Sequence, residues 1–119
     1  MSELAMVIED DPDLATIFTE ALQNANFQVE TLQDGIQAQR RLAQIEPHVV
    51  VLDMHLPGVS GEDLLAQIRA DARLARTIIV LTTADARMGE AYTDSADFVL
   101  IKPIAFTQLR DLTNRLHRF

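Results

Sequence analysis

The run His48–Leu52, "HVVVL", restricts the fold of this chain more than any other stretch. Its apolar residues do not alternate with polar ones, so a strand here is covered on both faces. Two-sided cover is characteristic of parallel sheets, whose crossover connections lay helices over each face. The rest of the chain repeats this pattern. Leu4–Ile8, Phe27–Leu32, Thr77–Leu81 and Asp97–Ile101 are further short apolar runs, the second alternating as if one face were more exposed.

Segments of helical period lie between the runs. The spacing predicts a first helix from Pro12, capped by Asp11, with Leu14, Ile17, Phe18, Ala21 and Leu22 on its buried face. Asp34-Gly35 opens a second, through Ile36, Leu42 and Ile45, stopped before Pro47. Leu64, Leu65, Ile68 and Ala72 mark a third, and Asp85 to Thr93 reads as a weak fourth. Phe106, Leu109, Leu112 and Leu116 mark the last. No linker or low-complexity tract interrupts them. The expectation is one α/β domain over 1–119, a five-stranded parallel sheet with helices on both faces.

Composition narrows the function. With 10 Lys and Arg against 18 Asp and Glu, the net charge is −8. That sign disfavours direct contact with nucleic acid or an anionic membrane, and suits a protein that holds metal cations. A merely soluble surface explains it as well. Without cysteine, disulfides, thiolate catalysis and Cys-based zinc sites are excluded. The N-terminus lacks the basic and apolar regions of a secretory signal, and no run approaches the ~20 residues that span a bilayer. The expected location is cytoplasmic.

The polar residues that matter fall at strand ends. Glu9 and Asp10 follow the first run, Asp53 the third, Thr82 the fourth and Lys102 the fifth. A parallel sheet gathers all of these on one edge, where α/β proteins bind ligands. Clustered carboxylates repel unless protonated or bridged by a cation. An all-oxygen set with room for water suits Mg²⁺ (or Mn²⁺). A carboxylate beside such an ion can act as a nucleophile toward phosphorus, with a lysine and a hydroxyl to hold the transferring oxygens. Each residue alone has a plainer explanation. Acids favour helix starts, aspartates open turns and threonines end strands.

Together "VIEDDPD", "VVVLDMHLPGVSG", "IIVLTTAD" and "FVLIKPI" resemble the response-regulator receiver domains of two-component signalling, over essentially the whole chain. The resemblance implies a flavodoxin-like fold with strand order 2-1-3-4-5. It implies Asp53 as phosphoacceptor, with Thr82 and Lys102 binding the phosphoryl group. Glu9, Asp10, Asp53 and the backbone carbonyl of His55 would hold the metal, Glu9 through water. The Lys102–Pro103 bond would be cis. The partners implied are a histidine kinase or histidine phosphotransfer protein and an output protein or domain. Monomer and weak homodimer both stay open. Such a domain promotes its own phosphorylation and dephosphorylation and turns over no metabolite.

The remaining histidines and methionines carry less. His48 is expected only to open a strand, and His117 to lie near the chain end. The His55 side chain is expected to border the phosphoryl site and tune the lifetime of the phosphorylated state. A His55→Asn dephosphorylation measurement over roughly pH 6–8 tests that. Met6, Met54 and Met88 read as core or loop filler.

Two features depart from the family pattern. The interval from Thr82 to Lys102 is shorter than the resemblance implies, with Ser95 where a glycine is usual, so the fourth helix should be short or distorted. The switch position that pairs with Thr82 carries Val99 where an aromatic ring is usual, and Phe98 is its neighbour. That leaves an alternative open, an interaction module acting largely independently of phosphorylation. Two enzyme classes fit poorly. A haloacid-dehalogenase-type phosphatase wants an aspartate at His55, and a flavin binder wants a phosphate-cradling loop where Glu9, Asp10 and Asp11 stand.

Overall fold

β3, Val49–Asp53, is buried along its whole length at the centre of the sheet. The computed structural model describes residues 3–116. The other strands are β1, Leu4–Ile8, β2, Gln28–Leu32, β4, Ile78–Thr83, and β5, Phe98–Ile101. All pair in parallel, in the order β2-β1-β3-β4-β5. This is the expected doubly wound arrangement. The direction of winding reverses between β1 and β3, the place where such sheets open a crevice at the strands' carboxyl ends.

Helices α1, Pro12–Asn24, and α5, Phe106–Arg115, cover one face. Helices α2, Gly35–Leu42, α3, Gly61–Ala70, and α4, Ala86–Ala91, cover the other. On the first face Phe18, Leu22, Leu109 and Leu112 pack on Val7, Val51 and Val80. On the second, Leu42, Leu64 and Ile68 pack on Met6, Ile8, Leu52 and Leu81. Alternate residues of each buried strand therefore serve alternate cores, which is why these strands read as unbroken apolar runs.

Caps set the helix starts. Asp11 accepts the N–H groups of Asp13 and Leu14 at 2.9 and 3.3 Å, with Pro12 next in the chain. Asp34 accepts from Gln37 at 2.8 Å, and Ser60 from Asp63 at 3.2 Å. Each satisfies a donor that the helix itself cannot. Among the acids at 9–11, capping thus falls to Asp11, and the other two are left for the sheet edge.

Several expectations need correcting. Ile17 is half exposed and Phe106 three-quarters exposed, because α1 and α5 present a wider apolar stripe than the sheet covers. α2 ends at Leu42, before Ile45, and Ile36 is also about half exposed. Ala72 belongs to a separate 3-10 turn, Ala72–Leu74, opened by an Asp71 side chain that caps Arg73. α4 runs only from Ala86 to Ala91, short as expected though within the wider range 85–93, and β5 starts at Phe98, one residue later than expected. Asp53, Thr82 and Thr83 lie inside their strands, not beyond them. Met6 and Met54 are buried and Met88 partly so, as expected. His117 lies outside the described residues. The Lys102–Pro103 bond is cis.

Candidate functional site

Glu9, Asp53, Thr82 and Lys102 each lie two residues beyond a residue of the α1/α5-side core, namely Val7, Val51, Val80 and Leu100. Strand alternation therefore turns all four to the same side of the sheet edge. The parallel register adds to this, since Asp53 pairs directly with Thr82.

One carboxylate oxygen from each of Glu9, Asp10 and Asp53 lies within 4.8 Å of the others. Glu9 and Asp53 are buried to 1% exposure, and Asp10 is exposed. Lys102 Nζ stands 2.9 Å from Glu9 Oε1 and 3.4 Å from Asp53 Oδ1. The contact with Glu9 is an ion pair by distance, yet neither Glu9 oxygen has an aligned hydrogen bond. Thr82 Oγ1 is buried with no hydrogen-bond partner. A buried polar group left unpaired costs about 1–3 kcal/mol, so such a set points to a ligand that the side chains await.

The acids do not share their charge evenly. Burial pushes Glu9 up to about 8, helped by the adjacent Asp53 carboxylate and opposed by Lys102. Burial acts on Asp53 in the same sense. The adjacent Glu9 carboxyl, the His55 N–H, Lys102 and Asp10 outweigh it and hold Asp53 below the ordinary carboxylate range. Lys102 loses from burial but is raised on balance by Glu9 and then Asp53. The picture at neutral pH is a protonated Glu9 beside an ionised Asp53 and a lysine ammonium. A divalent cation would displace the Glu9 proton. The donor set is all oxygen, with an exposed third acid that leaves room for water, and this fits Mg²⁺.

The surrounding backbone is tight. His55 N donates to Asp53 Oδ1 at 3.0 Å. A Cβ on Gly61 would stand 2.5 Å from Asp53 O and 2.5 Å from Met54 Cα, so α3 begins directly against the acceptor strand. The His55 side chain is exposed, and its Nε2 lies 3.4 Å from Thr83 Oγ1. In the sequence Thr83 is indistinguishable from an ordinary strand-end threonine. His48 does more than open a strand, since its Nε2 lies 3.0 Å from Glu3 Oε2 and 3.2 Å from Leu116 O, far from the acids. Val99 is partly buried on the α2–α4 side, paired with Leu81.

A family model described as the response regulator receiver domain matches residues 5–114. This chain belongs to the receiver domain family. The DNA-binding response regulator MtrA of Mycolicibacterium smegmatis is 35% identical over 100 residues, covering 84% of this chain and 40% of that protein. The probable methanogenesis regulatory protein FilR2 of Methanothrix harundinacea is 31% identical, covering 98% of this chain and 82% of that one. The receiver domain of sensor histidine kinase PA1611 from Pseudomonas aeruginosa PAO1 superposes with a TM-score of 0.85 at 24% identity, over the full length of both chains. That structure is described with a magnesium ion coordinated in its active site cleft. This receiver domain spans less than half the length of the MtrA protein it matches. Because that relative is named as DNA-binding, the expectation of no nucleic-acid contact gains no support. No helix among the described residues is long and apolar enough to cross a membrane.

Proposed function

We propose that Asp53 accepts a phosphoryl group from a phosphohistidine on a kinase or phosphotransfer protein, and that the modified receiver domain switches a protein–protein contact. The observation that carries this is one buried carboxylate, kept ionised, between a lysine ammonium and an unpartnered hydroxyl. Asp53 contributes the attacking oxygen. Its bond to phosphorus forms as the phosphorus–nitrogen bond breaks, and the imidazole leaves. Lys102 balances charge on the transferred group, and the Thr82 hydroxyl donates to one of its oxygens. Water attacking the same phosphorus returns Asp53 as carboxylate and releases inorganic phosphate.

Glu9, Asp10, Asp53 and the His55 carbonyl would hold Mg²⁺. When bound, the ion supplies neutralisation of the negative charge that gathers at the transferring oxygens. The domain acts in the cytoplasm and turns over no metabolite. An output on DNA, as named for MtrA, is one form the switched contact could take. The second reading, a partner surface with weak dependence on phosphorylation, is favoured by Val99 at the switch position. Comparing partner affinity with and without phosphorylation separates the two.

Intact mass after incubation with acetyl phosphate, with and without Mg²⁺, tests the proposal. One phosphoryl group gained only in the presence of Mg²⁺ is expected. No gain under either condition would overturn it.

A further inference from the structure

Ile17 and Phe106 are the most exposed large apolar side chains among the described residues, at 50% and 75%. Apolar groups exposed one at a time are ordinary on a protein surface. These two converge. Ile17 belongs to α1 and Phe106 to α5, and both line the groove between those helices. Phe106 does not serve the start of its own helix. Gln108 Oε1 accepts the Ala105 N–H there at 3.0 Å, and Ile104 and Leu109 supply the apolar contact with the core.

The groove holds two clefts. One, of about 330 Å³, is walled by Leu14, Ile17, Ile104 and Leu109, with Glu20 beside them. The other, of about 160 Å³, is walled by Ala25, Thr113 and Arg110. Ala21, Asn24 and Phe106 line both, so they mark the middle of the groove. The Phe106 ring is thus an exposed knob with a hole on each side. A cavity of about 150 Å³ accepts a benzene ring, so each cleft has room for one aromatic side chain.

A patch that carries both the knob and the hole complements a copy of itself across a two-fold axis. We propose that the α1–α5 groove binds a second copy of this chain, with the Phe106 ring of each copy seated in the groove of the other. Charge fits the same arrangement. Glu20 pairs with no cation among the described residues, and Arg110 has only a 3.6 Å contact with its exposed neighbour Asp111. A two-fold axis through Ala21 and Phe106 lays each cleft over the partner's other cleft. It therefore brings Glu20 of each copy to the partner's Arg110. The net charge of −8 on each copy opposes association. At about 0.15 M salt that repulsion is screened beyond about 8 Å, whereas the facing pairs lie closer and are opposite in sign. Removing two aromatic rings and two isoleucines from water drives the contact.

Sedimentation velocity of the full chain tests this. The average sedimentation coefficient should rise from a monomer to a dimer value between about 10 µM and about 1 mM protein, as mass action requires. Phe106→Ala should weaken association by about 10-fold or more. Glu20→Arg and Arg110→Glu each set like charges face to face and should weaken it by about 5-fold. The double variant restores opposite charges and should return to within about 2-fold of the original. All three side chains are exposed, so the variants keep the fold. A monomer at every concentration overturns the proposal and leaves the groove to a different protein. A dimer indifferent to Phe106→Ala lies on another face and overturns it as well. Charge reversals without effect, or without recovery in the double variant, overturn the two-fold arrangement.

Discussion

Asp53 and Thr82 are direct partners across β3 and β4, so a buried carboxylate and a buried, unpaired hydroxyl stand side by side on the same face of the sheet. The hydroxyl is a cost to the resting fold. Thr82→Val keeps the shape and removes the polar atom. We predict that it stabilises the unphosphorylated protein by about 1 kcal/mol in urea unfolding, while slowing phosphoryl uptake. Destabilisation of the same size would mean that the hydroxyl has a partner in the resting state.

Glu9 is raised in the fold from 4.5 to about 8. A raised carboxyl lends its stability fully below the unfolded value and loses it as pH rises through the folded one. The metal-free protein should therefore become less stable between about pH 4.5 and pH 8. Asp53 is shifted down, so its own contribution fades only at acid pH, below this window. Mg²⁺ must displace the Glu9 proton, so its affinity should climb across the same window and level off above it. Calorimetry in buffers of different ionisation enthalpy measures the released proton. Binding that is independent of pH would remove Glu9 from the metal set.

Lys102→Ala removes the cation between two buried acids. It should cost roughly 1–3 kcal/mol without metal, since the ionised Asp53 is left buried without its cation. It should also tighten Mg²⁺ binding, because a competing positive charge has gone. Thermal unfolding with and without Mg²⁺ checks both. Weaker Mg²⁺ binding in the variant would contradict the placement of Lys102 beside Glu9 and Asp53.

Much of this site was legible in the sequence for one reason. A parallel sheet turns strand order into position, so residues at the ends of β1, β3, β4 and β5 had to meet on one edge. Which acid did what was not legible. Glu9, Asp10 and Asp11 look alike in the chain, and only the cap geometry assigns Asp11 to α1. Helical periodicity found the apolar stripes of α1 and α5 but could not tell how far the sheet covers them, hence the exposed Ile17 and Phe106. The contact of Thr83 with His55 depends on how one loop sits against β4, which no local pattern encodes.

Gly61→Ala tests the close contact between α3 and the acceptor. The added Cβ meets the carbonyl oxygen of Asp53, so α3 must shift. Overpacking of this kind costs about 1–3 kcal/mol, read as a lower urea midpoint, and phosphoryl uptake should slow with it. A variant of unchanged stability would show that α3 can retreat at no cost.

The residue that takes the phosphoryl group decides the chemistry of this site. Protein treated with acetyl phosphate and Mg²⁺, then reduced with borohydride and digested, reports the modified residue as a homoserine in the peptide map. The predicted result is homoserine at position 53 alone, and none in Asp53→Asn. Homoserine at Asp10 or another aspartate, or the hydroxynorvaline that a reduced glutamyl phosphate leaves at Glu9 or another glutamate, with position 53 unmodified, would contradict it.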